Sequence, residues 1–209
     1  ASHAASLGAE VHFISVSGED ALKDVAIDEL KRNNVTAKIF SDITRPTTLK
    51  KRFRADRKTL LRVNELVEDS ISLSLQDKIL KEFKKNANDF DLLIFSDFNY
   101  GCLPQELVEK LISIAKKNDT KIVADSQSSS QIGNIARFKS MELITPTEKE
   151  ARLSMRNNQA GLVVLLQELY SEAKPKNTIL KLGADGLLIL SKSEDEFLTD
   201  KLTAYNNNP

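Results

Sequence analysis

Apolar residues recur along this chain in two alternating rhythms. Short apolar runs at 11–16, 92–95, 122–124, 143–144, 178–182 and 187–190 read as strands, and the stretches between most of them carry apolar residues three and four apart, as helices do. One helical face holds Leu22, Val25, Ala26 and Leu30, a second Leu75, Ile79, Leu80 and Phe83, and a third Leu107, Val108, Leu111, Ile112 and Ala115. Two more helices are expected at 147–155 and 161–170. The punctuation agrees with this division. Asp20 suits an N-cap, Pro104 a first helical position, and Thr147 with Glu150 the S/T-x-x-E capping box, while Gly8 and the pair Asn33 and Asn34 suit helix ends. Strands alternating with helices predict an α/β fold around a parallel sheet. The Gly-Ala-Asp-Gly turn at 183–186 predicts that the last two runs form an antiparallel hairpin.

The alternation breaks between 35 and 66. Three strand-like pieces, at 35–40, 47–54 and 59–64, follow one another without a helix, so residues 35–66 read as a β flap on a core made of 1–34 and 67–209. The flap is crowded with Lys50, Lys51, Arg52, Arg54, Arg57, Lys58 and Arg62, and strand alternation puts Lys50, Arg52 and Arg54 on one face. Such a face suits a phosphate; it equally suits a solvated sheet surface. Phe53 is the one aromatic residue among these cations, so the interleaved series that supports single-stranded nucleic acid binding is not present.

Bulk composition narrows the classes. The chain has 209 residues, 41% of them hydrophobic and 29% charged, with 30 basic and 30 acidic side chains, which is globular and without the electrostatic footprint of a general nucleic-acid binder. Cys102 is the single cysteine, so no internal disulfide framework exists and a reducing, cytoplasmic compartment is expected. No apolar run reaches the roughly 18 residues of a membrane span. His3 and His12 stand on separate elements with no carboxylate or cysteine at ligand spacing, so they read as packing or surface residues.

There is no GxxxxGK phosphate loop, no GxGxxG fingerprint and no GxSxG elbow. What remains is the set of residues at the ends of apolar runs: Asp97, Asp125, Thr147, Glu148, Glu150, Lys181, Gly183 and Gly186. In open parallel sheets the carboxyl ends of strands border the ligand crevice, so these residues are expected on one rim. Each also has a structural reading, as helix cap, capping-box partner or turn glycine, and spacing alone favours it.

The order of the pieces resembles the PfkB (ribokinase-like) carbohydrate kinase family over nearly the whole chain. AASLGA at 4–9 with ISVSGED at 14–20 looks like the family's early helix, strand and turn, and Pro46, Thr47 and Thr48 like its lid strand. LLRVN at 60–64, FSDFNYG at 95–101, VAD at 123–125 and LITP at 143–146 most resemble the kinases of heptose 7-phosphate, and KLGADG at 181–186 is similar to the strand and turn beside the nucleotide. The resemblance implies a three-layer α/β fold with a small β lid, and transfer of the ATP γ-phosphoryl group to a sugar or sugar phosphate with Mg²⁺ as cofactor. It implies substrate contacts at Arg52, Arg62, Asp97 and Asp125, nucleotide contacts at Thr147, Lys181, Gly183 and Gly186, and the metal-water shell at Glu150. It also suggests a lid closing over the sugar and a homodimer through that lid, with neither nucleic acid nor membrane as partner.

The chain departs from the family pattern at several points. Thr147 stands where Asn is usual in Asn-x-x-Glu, Tyr100 where the heptose kinases show lysine, and Asp125, Ser126 and Gln127 where they show Asp-Pro-Lys. These departures also suit a non-catalytic binding or regulatory protein on the same scaffold. Neither the paired glycines of the sugar site nor the Gly-Ala-Gly-Asp motif of anion hole and base is present, so the chain reads as incomplete at both ends, with the base expected beyond Pro209.

Overall fold

A computed structural model describes residues 1–55, 58–127, 133–194 and 196–205; Arg57 of the basic cluster and the terminal 206–209 lie outside the described residues. The chain divides into two compact units, one of residues 1–85 with 100–104 and one of 86–99 with 105–209.

In the first unit a short helix α1 (Ser2–Ser6) precedes strand β1 (Val11–Ser17), helix α2 (Ala21–Arg32) and strand β2 (Val35–Ser41). β2 pairs parallel with β1, Val11 opposite Val35 and Ser17 opposite Ser41. The first of the three flap pieces is therefore no part of the flap, because α2 supplies the crossover that parallel pairing needs. Asp20 caps α2 as expected, its Oδ1 accepting from the amides of Leu22 and Lys23, and Asn34 ends it at φ 56°. The apolar stripe of α2 is only partly covered; Val25 is exposed. Helix α3 (Leu73–Lys85) buries Leu75, Ile79, Leu80 and Phe83, the four residues its periodicity singles out.

Strands β3 (Leu49–Ala55) and β4 (Lys58–Glu65) form a separate antiparallel hairpin. Every described residue of β4 is exposed. One strip carries Phe53 opposite Leu61, and the other sets Arg52 directly opposite Arg62. Like charges facing across a ladder are unfavourable, and a lone two-stranded hairpin is marginal in water, so this hairpin depends on how its base is held.

Two carboxylates hold that base. Asp20 Oδ2 accepts from the amide of Thr47, and Asp42 Oδ2 from Nε of Arg45 at 2.8 Å. Both carboxyls titrate below their ordinary value of 3.8, Asp20 chiefly through the Thr47 amide, and Asp42 chiefly through the Thr44 hydroxyl and then the Thr44 amide and Arg45. A carboxyl whose folded pKa is lowered contributes stability that is complete above the unfolded value and is lost as pH falls through the folded one. Replacing Asp42 by Asn is therefore expected to make the loss of stability as pH falls below the ordinary carboxylate value of 3.8 shallower, read from urea midpoints by circular dichroism. An acid limb as steep as that of the parent protein would remove Asp42 from the account.

The second unit is built on a six-stranded sheet in the order β10-β9-β8-β7-β6-β5. Its strands are β5 (Leu92–Asp97), β6 (Lys121–Ser126), β7 (Leu143–Ile144), β8 (Asn177–Lys181), β9 (Leu187–Ser193) and β10 (Glu196–Leu202). β5 to β8 run parallel, while β9 turns back on β8 as the glycine turn predicts. β10 then adds a further antiparallel edge. Helices α4 (Gln105–Lys117), α5 (Glu148–Met155) and α6 (Leu162–Ala173) and the single-turn helix Ile135–Arg137 fill the connections. Strand alternation sends Phe95, Ile122, Ala124, Ile144, Leu180 and Leu190 into one buried face, and Leu107, Val108, Leu111, Leu165, Leu166 and Leu169 of the helices are buried as well. Full burial of each Val, Leu, Ile or Phe among them contributes about 1.5–3 kcal/mol. The alternate residues, among them Leu92, Ile94, Val123, Ile179 and Ile189, form an apolar face that is half-buried or exposed.

Candidate active site

Because β5 to β8 are parallel, their carboxyl ends lie along one edge of the sheet. Asp97 ends β5, Asp125 stands one residue from the end of β6, Thr145 to Thr147 lead from β7 into α5, and Lys181 and Gly183 follow from β8. The edge is shared, but the faces are not. Strand alternation sends Asp97 to the buried helical side and Asp125 to the other, where Lys181 meets it.

Asp97 is 4% exposed and fully engaged. Oδ2 accepts from Nη2 of Arg137 at 2.9 Å and from the Ser126 hydroxyl at 3.3 Å, and Oδ1 accepts from the Asn99 amide at 2.9 Å. Arg137 also donates to Gln105 Oε1 and lies 4.4 Å over the ring of Phe138. Asp97 therefore braces the rim, and its carboxylate is directed at Arg137. Nothing in the sequence around Arg137 marks it as the partner, since the two are 40 positions apart.

Asp125 is differently placed. Its Oδ1 accepts from the Thr145 hydroxyl at 2.9 Å and from Lys181 Nζ at 2.8 Å, joining three successive strand ends through one half-exposed carboxylate. The capping box expected at the start of α5 is present: the Thr147 hydroxyl accepts from the Glu150 amide, and Glu150 Oε2 accepts from the Thr147 amide at 2.8 Å. Glu150 is buried. Among the described residues no three His, Cys, Asp or Glu side chains are gathered as a metal cage would need.

Beside the capping box lies an open cleft of about 550 Å³ lined by Thr147, Glu148, Lys149, Arg152, Leu153, Asn158, Lys181, Leu182 and Gly183. Thr147, Lys181 and Gly183, three of the four residues that the family resemblance assigns to the nucleotide, thus share one cleft. Gly186 does not line it. At φ 86° a Cβ there would sit 1.9 Å from the Leu202 carbonyl oxygen, so Gly186 serves the turn between β8 and β9 and the close approach of the end of β10 to it. Gly183, at φ 62°, has open space where a Cβ would be. Arg152 was not singled out by sequence. It pairs with Glu148 at 2.8 Å, an i,i+4 pair readable in principle, and donates to the carbonyls of Asn157 and Ala160, which fixes the loop beside the cleft.

The pfkB family carbohydrate kinase profile matches residues 1–204. The chain belongs to this family. Among pfkB relatives, the bifunctional protein HldE of Helicobacter pylori strain Shi470 is 31% identical over 196 residues, covering 90% of this chain and 41% of that protein. HldE of Aliarcobacter butzleri is 27% identical over 201 residues, covering 94% of this chain and 40% of that protein. The chain thus spans about two fifths of the length of these relatives. Solved structures share the ribokinase-like fold. Ribokinase from Giardia lamblia superposes with a TM-score of 0.73 at 13% identity, over 98% of this chain and 65% of that one. Phosphofructokinase-2 from Escherichia coli in complex with fructose-6-phosphate gives 0.68 at 17% identity, over 97% of this chain and 65% of that one. The α/β class with a central sheet and the pfkB family expected from sequence are both found. No helix among the described residues is long and apolar enough to cross a membrane.

Proposed function

We propose that the whole protein transfers the γ-phosphoryl group of ATP to a hydroxyl of a sugar phosphate of the heptose 7-phosphate kind. The observation that carries this reading is the pfkB match over residues 1–204, joined by HldE relatives near 30% identity. The cleft beside α5 supports the nucleotide half. Lys149 lines this cleft at the amino end of α5, which favours anions, while Arg152 and Lys181 are paired with Glu148 and Asp125. Magnesium keeps much of its water and is held largely by phosphate oxygens, so no gathered cage of protein carboxylates is needed, and Glu150 would be its partner on the protein side. Magnesium and fixed donors supply charge neutralisation for the transferring group. Asp125, held by Thr145 and Lys181, then presents its carboxylate on the substrate side. Asp97 acts on the substrate through Arg137 and Asn99 by holding the rim in shape.

The hairpin supports the sugar-phosphate half. Arg52 and Arg62 face each other across β3 and β4, and a dianion between them relieves the repulsion that the pairing creates. Its opposite strip, with Phe53, Leu61 and Val63 exposed, offers a surface for a second copy of the chain. Changing Arg52 or Arg62 to Ala in the whole protein is expected to raise the KM for the sugar phosphate about tenfold each, as for the loss of one charge-assisted bond, while the KM for ATP stays within about twofold. An unchanged sugar-phosphate KM would remove the hairpin from substrate binding. Tight nucleotide binding with no turnover on any sugar would instead favour a binding protein, a reading that the engagement of Glu150 in its own capping box supports.

A further inference from the structure

Lys50 of β3 lies 4.9 Å over the ring of Tyr100, and both stalks of the hairpin β3–β4 meet at one guanidinium. The side chain of Arg45, in the loop that leads into β3, is 8% exposed and pairs with Asp42, itself 6% exposed. Its three donors are divided. Nε goes to Asp42 Oδ2 at 2.8 Å, Nη2 to the carbonyl of Asp69 at 2.9 Å, and Nη1 to the carbonyl of Tyr100 at 3.1 Å. Asp69 lies on the stalk that leaves β4, so a single side chain ties the incoming stalk to the outgoing one and both to residue 100.

The neighbouring backbone is shaped around this junction. Gly101 has φ 71°, and a Cβ on it would sit 1.8 Å from the Asp69 carbonyl oxygen that Arg45 uses. Its own carbonyl accepts from the amide of Ile71 at 3.0 Å. On the incoming side a Cβ on Gly18 would lie 2.7 Å from the Arg45 carbonyl oxygen and 2.5 Å from the Thr47 amide nitrogen, and that amide is held by Asp20. The Asp42 carboxylate is completed by the amide and hydroxyl of Thr44. Lysine has one charged nitrogen and no planar fork, so it cannot serve a carboxylate and two separate carbonyls in this way.

We propose that Arg45 is a positioning residue that fixes the angle at which the hairpin presents Arg52 and Arg62 to the phosphate of the substrate. The phosphate part of this statement rests on the function proposed above; the locking of the stalks does not. Cutting the guanidinium away leaves the Asp69 and Tyr100 carbonyls and the Asp42 carboxylate without their shared donor, and frees the base of an element that cannot hold itself.

Amide hydrogen exchange on the 209-residue chain separates the two parts. In Arg45→Gln, the amides of Thr47, Ile71 and the β3–β4 ladder are expected to exchange about tenfold faster or more, while those of β5 to β8 stay within about twofold. Acceleration spread evenly over β5 to β8, or none in the hairpin, would overturn the proposal. If Arg45→Gln does not fold, Arg45→Lys decides: it keeps the charge opposite Asp42, and faster exchange confined to Ile71 and the hairpin is expected, whereas parent-like exchange overturns the locking. In the whole protein, Arg45→Lys should raise the sugar-phosphate KM and leave the ATP KM and kcat within about twofold. If the hairpin loosens yet neither Arg45→Lys nor the Arg52 and Arg62 variants move that KM, the phosphate reading falls and the locking stands. If only Arg45→Lys leaves it unmoved, the positioning claim itself falls.

Discussion

Residues 1–209 purified alone, with ATP, magnesium and a heptose 7-phosphate, are expected to turn over roughly 10⁴-fold more slowly than a pfkB kinase that carries the Gly-Ala-Gly-Asp motif. In-line transfer needs the acceptor hydroxyl to lose its proton and the transferring group to meet fixed donors. A positioned base contributes about 10² to 10⁴ and a single anion-hole donor about 10² to 10³, and the two are not additive. The chain has a braced rim with a cleft beside it, but Gly-Ala-Gly-Asp, the segment from which the family resemblance leads one to expect base and anion hole, does not occur in its sequence. Release of ADP followed with a coupled assay checks this. A rate near that of a motif-bearing kinase would place the base among the residues described above, with Asp125 the first to be replaced.

The largest change in stability is expected from Arg137→Met. It removes the cation from Asp97 where the two side chains are 17% and 5% exposed, and leaves a carboxylate at the rim with only the Ser126 hydroxyl and the Asn99 amide. Breaking a buried pair from one side costs about 3–5 kcal/mol. Retained stacking of the methionine on Phe138 puts this variant near the lower figure, about 3 kcal/mol. With a denaturant slope of about 1–3 kcal/mol/M for urea, the midpoint should fall by more than about 1 M. A shift of only a few tenths would mean that Asp97 is solvated once Arg137 is gone. The double variant Asp97→Asn with Arg137→Met should recover part of the loss, because no charge is then left buried.

Periodicity is enough for β5 to β9 of the second unit's sheet, since strands buried on one face and half-covered on the other read as short continuous apolar runs. The capping box at Thr147 and the glycine hairpin at 183–186 were legible because each is a local arrangement whose partners lie within four residues. The strand expected at 35–40 is present as β2, but its composition is the same wherever it pairs, and its parallel partner β1 lies 24 positions earlier, beyond what a local pattern reports. β10 escaped notice for a related reason. Its burial pattern is almost wholly exposed, so Glu196 to Leu202 lacks the apolar run that marks the other strands. The site divided in the same way. Rim position followed from strand ends, but the sorting of Asp97 to Arg137 and of Asp125 to Lys181 depends on which face each residue occupies and on partners 40 and 56 positions away.

Residues 100–104 fold with the first unit although β5 and α4, on either side of them in sequence, belong to the second. In terms of inheritance, the unit that bears the hairpin is not a contiguous cassette. A single recombination junction near residue 85 would bring Asp69 and Arg45 from one parent to Tyr100 and Gly101 from the other. Such a chimera is tolerated only where the second parent also has glycine at 101, since any side chain there collides with the Asp69 carbonyl. The five-residue insert must therefore travel with the hairpin unit, or vary in step with it, when members of this family exchange parts.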